Sequence, residues 1–156
     1  MYNATVPVFR HYLTQMVGIV EKAGRAAMTA QIADSFTASQ HFATAAGFTL
    51  RITCPLAGRP IPDLPTALAP RMAVARATLG AMKPAEFDGA AERVILHRAG
   101  FTDLEQSAHD FVFLFGLPNF FFHMTMGYAS LRAAGLPFGK GDFDGFHAYP
   151  ADFSFD

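Results

Sequence analysis

From Phe111 to Leu131 the chain carries no formal charge. About 20 apolar residues suffice to span a bilayer. A helix that is apolar on all sides must otherwise be covered by protein. Pro118, Asn119, His123 and Thr125 interrupt the stretch, and the chain has only one such segment. These interruptions favour a buried helix of a soluble bundle over a membrane span, and no membrane association is expected.

Composition supports that choice. The chain has 156 residues, a length for one domain, with 51% apolar and only 16% charged types. Charged residues usually make up about 25%, so disorder is excluded for most of the chain. Of 17 phenylalanines, twelve lie at or after Phe101, which places the aromatic weight in the later half. Net charge is −1 with no run of like charge, so a nucleic-acid partner is not expected. The single Cys54 excludes an intrachain disulfide and reads as a small buried hydrophobe. With no signal peptide visible after Met1, the expected location is the cytoplasm.

Periodicity divides the chain into four helices. Helix 1 is expected over Ala4–Gly24, with Val8, Tyr12, Met16, Ile19 and Val20 as its apolar stripe. Helix 2 is expected over Met28–Thr53 and ends at Pro55. Helix 3 is expected over Pro65–Met82, with Pro70 moving its start toward Ala69. Arg93–His97 has β-branched character, and Ala99-Gly100 would turn it into a short hairpin. Thr102 and Glu105 have the spacing of a capping box and would open helix 4 over Asp103–Ala134, kinked at Pro118. The fold class is all-α: a four-helix bundle over residues 1–143 with a short β-hairpin insertion between helices 3 and 4. A tail over residues 144–156 would lie on the bundle.

Three polar residues stand out against apolar surroundings. Asn119 and His123 are four apart and share one face of helix 4; His41 lies within helix 2. Facing helices would bring the three together as a catalytic group. Phe115, Phe122, Tyr12 and Tyr128 are the expected substrate-binding lining. Imidazoles suit zinc, nickel or iron, so His41, His123 and Asn119 are also the candidate metal ligands. Without a metal they would form an acid–base set. The substrate would be a small apolar or aromatic molecule. His109-Asp110 and His97 read as surface groups, and His11 reads either way. Gly139-Lys140-Gly141 lacks phosphate-loop spacing.

Several segments carry a resemblance. They are Tyr2-Asn3-Ala4-Thr5-Val6-Pro7-Val8-Phe9, Pro118-Asn119-Phe120-Phe121-Phe122-His123 and Gly135-Leu136-Pro137-Phe138-Gly139-Lys140-Gly141-Asp142-Phe143. Asp34-Ser35-Phe36 and Leu56-Ala57-Gly58 fit the same pattern. Together they resemble an uncharacterised bacterial and fungal subfamily of the DinB/YfiT-like helical bundles. The resemblance implies a four-helix bundle, often a homodimer. In the wider superfamily it implies a divalent metal held by a helix-2 His and an H-x-x-x-H pair on helix 4. His41 and His123 fall at two of those positions, and Asn119 stands at the third. Superfamily members include thiol-dependent transferases and isomerases, so a small-molecule isomerase, cyclase, lyase or hydrolase is one reading. A non-catalytic binding or dimerisation module with a degenerate metal site is the other.

Overall fold

The computed structural model describes residues 1–150 and 153. In chain order the elements are α1 (Tyr2–Ala27), α2 (Ala38–Leu56), α3 (Leu68–Ala81), β1 (Val94–Ala99) and β2 (Thr102–Ser107). There follow α4 (Ala108–Asp110), a π-helical stretch (Phe111–Gly116), α5 (Leu117–Ala133) and α6 (Lys140–Asp144). Two 3₁₀ turns, Pro84–Phe87 and Ala90–Glu92, link α3 to the hairpin. The backbone stays right-handed helical from Asp110 through Leu117, so α4, the π stretch and α5 together form the fourth helix of the bundle. Among the described residues, no helix is long and apolar enough to cross a membrane.

The α1 stripe is rotated from the expected one. Val6, Phe9, Leu13, Met16 and Ile19 are fully or nearly fully buried, while Val8, Tyr12 and Val20 flank them half-buried. The spacing still repeats every three or four residues, as one helical face requires. The helix also runs past Gly24, which adopts φ 73° and kinks it.

Helix 2 begins ten residues later than expected. Thr37 is its N-cap: its hydroxyl accepts from the Gln40 amide at 3.3 Å, and Gln40 Oε1 accepts from the Thr37 amide at 2.9 Å. This reciprocal capping box satisfies two otherwise orphaned donors, and it outweighs the alanine-rich run before it. At the other end Arg93 Nη1 donates to the Pro55 and Leu56 carbonyls, placing a cation at the negative pole of the helix. Pro55 therefore lies inside the last turn of α2. Pro70 falls in the first turn of α3, where a missing N–H costs little.

The expected capping box at Thr102 and Glu105 does not form. Those residues pair with β1 instead, in the register Ala99↔Thr102 to Val94↔Ser107. The loop is Gly100-Phe101, and Gly100 has φ 59°; a hairpin turn of the II′ kind puts Gly at that first central position. The helix is capped by Ser107, whose hydroxyl accepts from the Asp110 amide at 3.0 Å.

Beyond α5 the chain folds back on α1. His11 Nε2 donates to the Asp144 carbonyl at 2.7 Å, and its ring stacks on Phe146 at 4.8 Å. The Asp144 carboxylate accepts from the Phe146 and His147 amides and from His147 Nδ1. A Cβ on Gly141 would run into the His147 carbonyl oxygen, which is the role of the second glycine in Gly139-Lys140-Gly141. Within the expected tail, residues 151, 152 and 154–156 lie outside the described residues.

The centre of the fold is α2 against the fourth helix. An added Cβ on Gly127 would sit 2.9 Å from Phe42 Cε1, and one on Gly116 would sit 2.8 Å from Ile52 Cγ1. Phe42 is early in α2 and meets a late glycine, whereas Ile52 is late and meets an early one. The two helices are therefore antiparallel and close at both glycines. Gly18, inside α1, has nothing within 4 Å of the same added atom. We predict opposite signs for two identical substitutions, read by chemical denaturation. Gly18→Ala stabilises by about 0.5–1 kcal/mol, the cost of a helical glycine. Gly127→Ala destabilises by about 1–3 kcal/mol through overpacking.

Candidate functional site

His41 is the fourth residue of α2, fixed by the cap at Thr37. Phe36 precedes the cap and packs its ring 5.5 Å from the His41 ring. This is a staple between the residue before the cap and the fourth helical residue. On α5, Phe120, His123 and Gly127 recur at three- and four-residue steps, so His123 lies on the face that Gly127 presses toward Phe42. The close helix approach brings the two imidazoles into direct contact, with Nδ1 to Nδ1 at 3.0 Å. They meet as hydrogen-bonded partners and not across a void.

Three phenylalanines surround the pair. Phe48, two turns along α2 from His41, lies near-parallel to the His123 ring at 5.8 Å. Phe36 does so at 6.1 Å. Phe122 meets the His123 ring edge-on at 5.2 Å and the His41 ring at 6.2 Å. Phe36 and Phe122 are 51% and 56% exposed, so the apolar surround opens to solvent on its outer side.

This setting keeps both rings neutral. Burial lowers the His41 pKa. Burial, and secondarily repulsion from a charged His41, lowers that of His123 to about 4. Two neutral imidazoles sharing one Nδ1–H···Nδ1 bond carry one further proton between their two Nε2 atoms. The pair therefore always offers one donor and one acceptor. His41 is only 3% exposed, and its Nε2 is buried without a hydrogen-bond partner. An orphaned acceptor is tolerated better than an orphaned donor. This assigns the shared proton to His41 Nδ1 and leaves a lone pair on His41 Nε2.

The other expected site residues fall elsewhere. Asn119 lies on the His123 face, but its Nδ2 donates to the Phe115 carbonyl at 2.7 Å. There Pro118 has no N–H to give, and the chain adopts π spacing, with Leu117 N–H bonding to Val112 O. Phe115 packs on Phe48, Phe111 and His97, beside the site and not over the imidazoles. Tyr12 packs on Phe121, Phe120 and Phe143. Tyr128 packs on Phe143 and donates its hydroxyl to the Phe138 carbonyl at 3.3 Å. At 100° per residue, Phe121 and Tyr128 lie far around α5 from His123, so neither tyrosine belongs to the histidine face.

Phe36 and Phe48 belong to the site in addition to the expected residues. Phe48 carries a signal in the sequence, since a residue seven after His41 shares its helix face; Phe36 reaches His41 because Thr37 is the cap. His97 is not a surface group either. It bonds to Gln106 Oε1 at 2.7 Å and packs on Phe115. Cys54 is buried as expected, and burial pushes its thiol pKa up.

The donor set does not fit the divalent metal that the resemblance implies. Among the described residues no cluster of three or more His, Cys, Asp or Glu could hold an ion, and a catalytic metal needs about three protein ligands. Two ligands of a tetrahedral zinc lie roughly 3.3 Å apart, and the Nδ1 atoms are closer, at hydrogen-bonding distance. Asn119, which would stand as third ligand, uses its Nδ2 in a bond to its own helix.

Comparison with known proteins agrees with this architecture. A crystal structure of a DinB family member protein from Shewanella denitrificans is similar with a TM-score of 0.78 and 26% identity. The match covers 96% of this chain and 94% of that one. No curated protein matches the chain. The family model described as "Domain of unknown function (DUF1993)" matches residues 1–144. The chain therefore belongs to the DUF1993 family and has a DinB-like four-helix fold.

Proposed function

We propose that this protein is a small-molecule enzyme whose His41–His123 pair moves protons without a metal. The observation that carries the reading is the 3.0 Å contact between a buried His41, whose Nε2 is unpartnered, and a half-buried His123. Neutral imidazole near pH 7 is competent as a base. The companion Nε2–H is competent as an acid; proton uptake at His41 Nε2, passage of the shared proton to His123 Nδ1 and loss of the His123 Nε2 proton together exchange the two roles. An isomerisation needs that pairing, because it removes a proton at one atom and returns one at another. The Phe36, Phe48 and Phe122 rings favour an apolar or aromatic substrate.

A second reading is a dimerisation module. Leu96 and Phe101 on the hairpin are exposed, Phe101 completely, which favours contact with another copy.

Four measurements test these readings. His123 has a folded pKa below its unfolded value near 6.5. The unfolded chain therefore binds more protons in the interval, and stability rises with pH there. The stabilisation is full above about 6.5 and is lost as pH falls toward about 4. Thermal melts should show this loss in the wild type and a shallower one in His123→Gln; identical profiles would remove the electrostatic basis. For activity, deuterium exchange beside the carbonyl of aryl ketones should fall by about 10²–10⁴-fold in His123→Ala with its helical content retained. Normal exchange in that folded variant would sink the site assignment. Elemental analysis of the untagged protein should find no stoichiometric zinc, nickel or iron. Sedimentation at the monomer mass at every concentration would count against the dimer.

A further inference from the structure

The face of α5 turned away from His123 carries its own constellation. Thr125, Tyr128 and Arg132 recur at three- and four-residue steps, about 140–200° around the helix from His123. Together with Gly139, Lys140, Phe143 and Tyr149 they line a cavity of about 330 Å³. That is the low end of the usual range for small-molecule sites, roughly 300–1,000 Å³.

Its chemistry is uneven in a specific way. Three aromatic rings, Tyr128, Phe143 and Tyr149, form apolar walls. The Tyr128 hydroxyl is already spent on the Phe138 carbonyl, so this residue offers the cavity its ring. Phe143 is held against Tyr128 at 5.5 Å and Tyr12 at 5.9 Å. The two charged lining residues, Arg132 and Lys140, are both cations, and no Asp or Glu lines the cavity. Among the described residues neither cation pairs with a carboxylate, whereas Lys22, Arg59 and Arg98 each do.

We propose that this cavity binds an aromatic carboxylate. The ring of the ligand lies among Tyr128, Phe143 and Tyr149. Its carboxylate meets the Arg132 guanidinium, whose planar fork matches a carboxylate, with Lys140 as the second cation. The site is separate from the histidine pair and does not depend on the function proposed for it.

Isothermal titration calorimetry with 2-naphthoate tests the assignment. Binding is expected for 2-naphthoate, with neutral 2-naphthamide and non-aromatic cyclohexanecarboxylate each about tenfold weaker or worse. Arg132→Gln and Lys140→Gln should each weaken 2-naphthoate by about tenfold, the scale of one charge-assisted hydrogen bond. Both side chains are exposed, so neither substitution threatens the fold. His123→Ala should leave the affinity unchanged. Absence of binding at millimolar ligand would overturn the proposal. So would equal affinity for the amide, indifference to both cation substitutions, or loss of binding in His123→Ala.

Discussion

The close approach of α2 to the fourth helix is the constraint on which the rest of this structure depends. Gly127 under Phe42 and Gly116 under Ile52 remove the Cβ atoms that would hold the helices apart. Helix axes usually lie about 8–10 Å apart, depending on the side chains at the contact, and glycine at the crossing moves the backbones toward the short end. His123 lies between these two glycines in sequence and His41 is next to Phe42. The imidazole contact is therefore a by-product of backbone proximity, fixed by residues that do no chemistry themselves.

The π stretch at Phe111–Gly116 belongs to the same accommodation. Pro118 cannot donate to the Leu114 carbonyl, and wider helical spacing before it, with Asn119 bonding the Phe115 carbonyl, absorbs the fault. Helical backbone continues through Pro118. The cost falls on Asn119, whose Nδ2 serves its own helix. Two neutral imidazoles sharing one proton form a donor–acceptor pair.

Phenylalanine has several separate duties here. Phe9, Phe42, Phe111 and Phe120 fill the core. Phe36, Phe48 and Phe122 enclose the histidines, and Phe138, Phe143 and Phe146 fasten the C-terminal segment to α1 and α5. The helical period separates these roles along α5, because neighbouring residues point in different directions. One face meets α2 and carries His123. The opposite face carries Tyr128 and Arg132 and meets the returning chain.

The sequence by itself determined the four helices, the hairpin and the placing of Asn119 and His123 on one helical face. Each follows from short-range rules: apolar period, Pro and Gly punctuation, and i,i+4 spacing. Tertiary structure decided what those rules leave open. Thr102 and Glu105 match a helix cap locally, yet β pairing across Gly100-Phe101 takes them. Met28 to Phe36 are compatible with helix, yet the Thr37–Gln40 cap starts α2 later and brings Phe36 onto His41. Tyr12 and Tyr128 are aromatic residues on the expected helices, yet they face away from the histidines. Local pattern fixes which residues share a face. Which face meets which partner depends on helix rotation and separation, and those are set by contacts between residues far apart in the chain, such as Gly127 with Phe42.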